Sequence, residues 1–318
     1  MKQGDFIMKI VFLDAKSVGD DIDYSSYHSL GEFVTYDFTA FEQIPARVAE
    51  ADVIITNKCL INEKSIGTAP NIKLVCVTAT GTNNLDKAYL DSRNIAWRNV
   101  AGYSTESVTQ HTFAMLFYLL EKLNYYDNYV KDGRYANDTL FTHFAEHFRE
   151  VKGMTWGIVG LGAIGRRVAD VAKAFGANVI YYSTSGKNNQ PNYTRVDFDT
   201  LLTTSDIISV HAPLTDETLG LMNLEAFKKM KASSIFLNVG RGAIVVEEDL
   251  AFALENNLIA AAGLDVLCEE PMSPNCPLLK FKDSKKLLIT PHIAWASVEA
   301  RTLLMKLVFE NITEFFTK

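Results

Sequence analysis

Short apolar runs alternate with helix-patterned stretches along nearly the whole chain, a glycine-rich turn joins one such run to a helix, and the length is 318 residues. Together these predict an α/β protein of two domains, each a parallel sheet covered by helices. Roughly 150 residues fill one domain, and this alternation implies crossover connections. In the first hundred residues the strands are Lys9–Leu13, Phe33–Asp37, Val53–Thr56 and Leu74–Val77, with a weaker one at Ala96–Asn99. Helix-like stretches Ile44–Ala51 and Leu85–Ser92 lie between them. Val108, Phe113, Leu116 and Leu120 keep helical spacing and predict one long helix from Ser104 to Tyr129. A clearer alternation begins at Gly153, with strands at Thr155–Val159, Asn178–Tyr182, Ile207–Val210, Ile235–Val239, Ala261–Asp265 and Leu287–Thr290. Most are continuous apolar runs, as expected of parallel strands buried on both faces. Ser297–Phe316 is a closing amphipathic helix.

Composition narrows the function classes. A content of 48% hydrophobic and 22% charged residues is that of a folded globular chain, which excludes disorder, collagen-like repeats and a disulfide miniprotein. The formal charge of −7 argues against a general nucleic-acid binder, whose phosphate contacts need a basic footprint, while leaving room for a local basic pocket. Cys59, Cys76, Cys268 and Cys276 show no CxxC spacing and fit buried thiols in a reducing cytoplasm. No stretch offers the roughly 18 consecutive apolar residues of a membrane span. Residues 1–7 have neither the apolar stretch nor the cleavage site of a signal peptide, and are expected to be a short extension with no role in the fold.

Gly160-Leu-Gly162-Ala-Ile-Gly165 follows the strand Thr155–Val159 and opens a helix expected over Ala163–Phe175. The first glycine permits the tight turn, the second lets a pyrophosphate approach the backbone, and the third lets helix and strand pack closely. The pyrophosphate then sits on the helix N-terminus, where free N–H groups and the macrodipole favour negative charge. Strand before, helix after and a second strand at Asn178–Tyr182 make this a dinucleotide-binding, Rossmann-like unit. The acidic residue expected at the end of that second strand is missing: position 183 is Ser, in Tyr182-Ser-Thr-Ser-Gly-Lys187. A carboxylate there binds a ribose 2′-hydroxyl and repels a 2′-phosphate. Small hydroxyls and Lys187 leave the phosphate acceptable, which leans the expectation toward NADP.

In open α/β sheets ligands bind beyond the carboxyl ends of the strands, and three chemically loaded residues fall there in succession. Arg241 follows Ile235–Val239, Glu270 follows Ala261–Asp265, and His292 follows Leu287–Thr290. An arginine clamps a carboxylate with two parallel hydrogen bonds. A histidine delivers a proton near neutral pH, and a carboxylate beside it favours the imidazolium. A rival motif, His143-Phe-Ala-Glu-His147, matches the HxxEH pattern of one metallopeptidase group. Zinc needs a third ligand and an open position, and none is evident nearby. No metal is expected, and the pentapeptide is assigned to a surface helix.

From Met8 onward the chain resembles the D-isomer-specific 2-hydroxyacid dehydrogenases, the family of glycerate dehydrogenase (hydroxypyruvate reductase). The resemblance rests on Gly102-Tyr-Ser-Thr-Glu-Ser-Val108 with His111, the Gly160–Gly165 turn, His211-Ala-Pro-Leu-Thr215 with Thr218, Asn238–Gly242, Gly263-Leu-Asp-Val266 with Glu270-Pro271, and Thr290–Ala294. It implies a split substrate domain, residues 1–103 and 293–318, with an inserted NAD(P)-binding domain, residues 104–292, and chemistry in the cleft between. Arg241, Glu270 and His292 become the catalytic trio, with Arg241 and His292 also touching substrate. The cofactor residues implied are Gly160, Gly162, Ala163, Ile164 and Gly165; Tyr182, Ser183, Thr184 and Lys187; His211, Ala212, Pro213 and Thr218; and Val239 and Asp265, the last holding the nicotinamide amide. The loop Val77-Thr-Ala-Thr-Gly-Thr-Asn-Asn84 is implied to cradle the substrate carboxylate on the backbone N–H groups of Thr80 and Gly81. The implied activity is hydride transfer between NAD or NADP and a small 2-keto or 2-hydroxy acid of the hydroxypyruvate or glyoxylate type, by a cytoplasmic homodimer built around the helix Ser104–Tyr129. The alternative is a nucleotide-sensing, corepressor-like binding protein of the same fold.

Overall fold

Tetrapeptides such as Val-Ile-Ile-Thr and Leu-Val-Cys-Val carry no polar face, so they are stable as strands only where both faces are covered. The computed structural model, which describes residues 8–282 and 284–317, uses them in that way. The extension 1–7 lies outside the described residues. The chain divides into two units, Met1–Ser104 with Ala296–Lys318, and Thr105–Trp295. Each is a parallel sheet flanked by helices, as the alternation predicts.

The first unit has strands β1 (Lys9–Phe12), β2 (Glu32–Thr35), β3 (Val53–Thr56), β4 (Leu74–Val77) and β5 (Ala96–Arg98), in the order β2-β1-β3-β4-β5. The connection reverses direction between β1 and β3, and that reversal opens a crevice at their carboxyl ends. Asp14 lies there, 5% exposed. Its carboxylate accepts the backbone N–H groups of Asn57 at 2.8 Å and Lys58 at 2.7 Å, which ties the ends of β1 and β3 together, and burial pushes its pKa up. The helix expected over Ile44–Ala51 is a single turn, Ile44–Arg47. The chain's last helix, Val298–Thr317, belongs to this unit and is pinned by the Tyr27 hydroxyl, which donates to the Met305 carbonyl at 2.6 Å.

The second unit has strands β6 (Thr155–Val159), β7 (Asn178–Tyr182), β8 (Thr194–Arg195), β9 (Ile207–Val210), β10 (Ile235–Asn238), β11 (Ala261–Leu264) and β12 (Leu287–Ile289), in the order β12-β11-β10-β9-β6-β7-β8. Every pairing is parallel. Strand order reverses between β6 and β9, which puts the switch point directly beside the glycine turn. The sequence pattern does not predict β8, because two residues are too few for any periodicity to register.

Two sequence expectations fail in this unit. The helix expected over Ser104–Tyr129 is two helices, Thr105–Leu120 and Leu123–Lys131, separated by Lys122 in the left-handed region (φ 57°). No Gly or Pro marks the break; packing sets it. The second helix turns its tyrosines onto residues 138–147, where the Tyr125 hydroxyl meets His143 Nε2 at 2.8 Å and Tyr129 stacks on the His143 ring at 3.7 Å. The pentapeptide His143–His147 is itself irregular, not helical, so its two histidines share no helix face.

Tyr27 is 1% exposed and its hydroxyl bonds one helix carbonyl. Tyr27→Phe therefore removes one buried hydrogen bond while keeping the ring packing. Denaturant unfolding is expected to show a loss of about 1 kcal/mol; no change in midpoint would mean that the bond does not hold the last helix.

Candidate active site

The glycine turn is shaped by two close approaches. Gly160 has φ +90°, and a Cβ on it would lie 2.8 Å from the Ala212 backbone. A Cβ on Gly165 would lie 2.3 Å from the Gly160 carbonyl oxygen, so helix Ala163–Ala174 can sit this close to β6 only without a side chain there. Gly162, the N-cap of that helix, is different: a Cβ there meets nothing within 4 Å. Open space in front of free helix N–H groups fits a pyrophosphate. A second feature fits a bound cofactor. His211 Nε2 lies 2.9 Å from Ser209 Oγ, which also accepts the Trp156 indole N–H at 2.8 Å, while His211 Nδ1 is buried without a partner among the described residues. Burial pushes the His211 pKa down to about 3, so this imidazole is neutral at working pH.

Around the turn, other expected cofactor residues divide into wall and scaffold. The carbonyl of Tyr182 accepts the Gly160 N–H at 3.0 Å. Ser183 is 4% exposed and its Oγ accepts the Asn188 N–H at 3.2 Å. The Asn188 side chain in turn donates to the Leu161 carbonyl at 2.6 Å, which fastens the loop carrying Thr184 and Lys187 to the glycine turn. Ala212 is buried against Gly160, and Ile164 and Val239 pack on the core of the unit. The Thr218 hydroxyl is inaccessible, donating to the Pro213 carbonyl at 2.8 Å and accepting the Thr215 N–H at 2.8 Å. These bonds shape the loop from Pro213 to Thr218.

Chemistry gathers at the carboxyl ends of β10, β11 and β12. Fully buried Asn238 donates to the Arg241 carbonyl at 2.9 Å and accepts the Gly240 N–H at 3.0 Å, which fixes the turn presenting Arg241. A Cβ on Gly242 would overlap the Leu267 backbone at 1.9 Å, so this turn presses directly on the loop leading to Glu270. Glu270 accepts the Leu267 N–H through Oε1 at 2.9 Å and meets His292 Nδ1 through Oε2 at 2.6 Å. The His292 and Glu270 side chains are 28% and 33% exposed, open enough to be reached. His292 itself has φ 54°.

Asp265 plays a part that its sequence context does not announce. It is 1% exposed, and its carboxylate accepts the Thr290 hydroxyl at 2.6 Å and the N–H groups of Ile293 at 2.9 Å and Ala294 at 2.8 Å. Both oxygens thus grip the His292 turn. His111, placed in a motif but given no role, lies 3.0 Å from Thr290 Oγ1, and Ser107 bonds the Ala294 carbonyl at 2.6 Å. In the other unit, the Thr80 hydroxyl donates to the Val100 carbonyl at 3.1 Å and Asn99 bonds the Thr80 carbonyl at 2.7 Å. The Thr80 and Gly81 amides have no acceptor among the described residues.

A glycine turn on a parallel strand, with an arginine and a carboxylate–imidazole pair on neighbouring strand ends, defines a dinucleotide-dependent oxidoreductase. The family model for the D-isomer specific 2-hydroxyacid dehydrogenase NAD binding domain matches residues 113–294, and the chain belongs to that family. It is an NAD(P)-dependent dehydrogenase acting on CH–OH donors. A hydroxypyruvate reductase from Blautia hydrogenotrophica is 36% identical over 97% of both chains. A glycerate dehydrogenase from Methylorubrum extorquens is 34% identical over 96% of both. The solved NADPH-dependent glyoxylate/hydroxypyruvate reductase from Sinorhizobium meliloti, in complex with NADP and malonate, is 25% identical with a TM-score of 0.82, covering 98% of this chain and 94% of that one.

The neutral His211 makes the fold acid-sensitive in a definite direction. Unfolded, its imidazole takes up a proton near 6.5; folded, it stays neutral down to about 3. Between those values the unfolded state binds more protons, so stability falls as pH drops through that window. His211→Gln is expected to flatten the dependence of the urea midpoint on pH between about 6.5 and 4. Equal slopes in both proteins would count against a buried neutral ring.

Proposed function

We propose that the chain reduces a small 2-keto acid, hydroxypyruvate or glyoxylate, to the corresponding 2-hydroxy acid. The observation that carries the reading is the 2.6 Å contact of Glu270 with His292 Nδ1. It assigns one ring nitrogen to the carboxylate and leaves Nε2 to hold a transferable proton. The nicotinamide, when bound, supplies the hydride. Arg241 binds the substrate carboxylate and polarises the keto oxygen, His292 donates the proton to that oxygen, and Glu270 keeps the imidazolium oriented and charge-compensated. In the first unit, the Thr80 and Gly81 amides, without an acceptor among the described residues, are suited to an anion. The turn Gly160–Gly165, the 182–187 loop and His211 to Pro213 hold the dinucleotide. The names of the Blautia, Methylorubrum and Sinorhizobium proteins support this substrate class.

A second copy of the chain is the proposed partner. Phe141 and Phe144, 88% and 73% exposed, project from the second unit. The same unit carries a cavity of about 280 Å³ lined by Phe117, Leu120, Phe148 and Phe175. Knob and hole on one unit suit a two-fold contact, in which each copy fills the other. Glu121, Arg149, Glu150 and Lys152 on the cavity rim offer both charge signs for self-pairing. The four cysteines are all free, which supports a reducing cytoplasm as the location.

A panel of 2-keto acids assayed with NADH and NADPH in parallel tests the substrate class, with glyoxylate and hydroxypyruvate expected to turn over fastest. Failure with every keto acid would sink the reading. His292→Ala is expected to lower kcat by roughly 10²–10⁴ with nucleotide binding little changed. Glu270→Gln should lower kcat with nucleotide binding little changed, since His292 Nδ1 loses the carboxylate that orients it; a normal rate would leave Glu270 a mere surface charge. Sedimentation of a Phe141→Asp, Phe144→Asp variant is expected to show monomer where the parent is dimeric. A monomeric parent at micromolar concentration would remove the dimer proposal.

A further inference from the structure

The adenosine end of the nucleotide site contains a cation that the glycine-turn motif does not predict. β8 pairs in parallel with β7, Tyr181 opposite Arg195, so Arg195 stands on the edge strand beside the loop that leaves β7. Its Nη2 is 3.9 Å from where a Cβ would sit on Gly186, in the turn that closes from the Gly186 N–H to the Ser183 carbonyl at 3.1 Å. That loop is fastened to the glycine turn by Asn188. Arg195 therefore lies where β7 delivers the chain to the ribose of a bound dinucleotide.

The charge around it is lopsided. Residues 183–195 include Lys187 and Arg195 and no Asp or Glu, in a chain whose formal charge is −7. Neither cation makes an ion pair or a side-chain hydrogen bond among the described residues. Two acids near this segment are already engaged. Asp197 accepts the Thr200 N–H at 2.7 Å and the Thr200 hydroxyl at 2.8 Å, and Asp170 accepts the Tyr193 hydroxyl at 2.6 Å. Elsewhere arginines find partners: Arg301 grips Asp21, and Arg167 grips Glu106 at 2.9 Å. Ser183, the residue to which the sequence pattern directs this discrimination, is buried and already accepts a backbone N–H.

We infer that Arg195, assisted by Lys187, is the residue that recognises a 2′-phosphate on the adenosine ribose and so sets this enzyme's preference for NADPH over NADH. The inference rests on the nucleotide site proposed above. A guanidinium offers a phosphate two parallel charge-assisted hydrogen bonds, whereas the uncharged 2′-hydroxyl of NADH gives it no ion pair. Specificity here comes from an edge strand two residues long, not from the end of β7.

The test needs no keto acid. Calorimetric titration of the whole chain with adenosine 2′,5′-bisphosphate and with 5′-AMP isolates the contribution of the 2′-phosphate. The parent is expected to bind the bisphosphate about ten- to a hundredfold more tightly. Arg195→Ala is expected to erase that advantage, Arg195→Lys to keep part of it, and Lys187→Ala to reduce it less than Arg195→Ala does. A parent that binds both nucleotides equally, or an Arg195→Ala variant that keeps the full advantage, overturns the assignment of Arg195 and leaves the dinucleotide site standing. A parent that binds neither nucleotide overturns the site and the assignment together.

Discussion

One buried carboxylate organises the chemistry of the second unit. An aspartate at 1% exposure carries a desolvation penalty that only hydrogen bonds offset, and Asp265 receives three, from Thr290, Ile293 and Ala294. All three donors lie on the segment that carries His292. The carboxylate can be satisfied only if that segment curls around it, and the curl puts His292 at φ 54°. For a side chain with a Cβ this conformation costs roughly 1–2 kcal/mol. The His292 N–H offsets part of the cost by bonding the Asp265 carbonyl at 2.8 Å. His111 and Ser107, on the helix Thr105–Leu120, bond the two ends of the same turn. The position of the imidazole thus follows from the hydrogen-bonding needs of a buried carboxylate that does not itself touch the ring.

With the histidine placed, the remaining members of the site follow from backbone contact. The Gly242–Leu267 approach leaves no room for a side chain, so the Arg241 turn packs backbone to backbone on the Glu270 loop. Glu270 uses one oxygen to hold its own loop and the other to hold His292. Cofactor recognition works on a different principle. On the reading proposed above, its elements are bare backbone at Gly160 and Gly162 and a neutral ring at His211, none of which carries a permanent charge. Charge is kept for the places where it must be exchanged or discriminated.

Much of this was legible in the sequence because the physical signals are local. Apolar or β-prone runs locate every strand except β8 to within about two residues at either end, most clearly the central ones, which are covered on both faces. Glycine spacing locates the turn because close approach forbids any other residue at Gly160 and Gly165. Arg241, Glu270 and His292 stand out by their places after strands. What escapes is set by tertiary packing. Nothing between Leu120 and Leu123 announces the left-handed Lys122, which serves tyrosines that meet His143 far along the chain. The HxxEH pattern suggests a helix face that the same tyrosines prevent. The donors to Asp265, on Thr290, Ile293 and Ala294, lie 25 to 29 residues away. Its role in the His292 turn has no periodic or motif signature.

The overall charge and the local chemistry reconcile in the same terms. A chain at −7 that handles a dinucleotide and a keto acid, both anionic, must attract at a few points what its surface repels. Many basic side chains are already committed elsewhere, with Lys9, Lys73, Lys229, Lys231 and Arg301 paired to carboxylates. On the reading proposed above, the attraction that remains comes from oriented amides at the glycine turn and at Thr80 and Gly81, and from Arg241, Lys187 and Arg195. Amides and single cations act over a few ångströms, within about one Debye length at physiological salt. The acidic exterior therefore turns away extended polyanions, which need many simultaneous contacts, while a small anion that reaches one of these points meets a nearly uncompensated positive field. Selectivity for small anions is in this way a consequence of how the cations are distributed, not of how many there are.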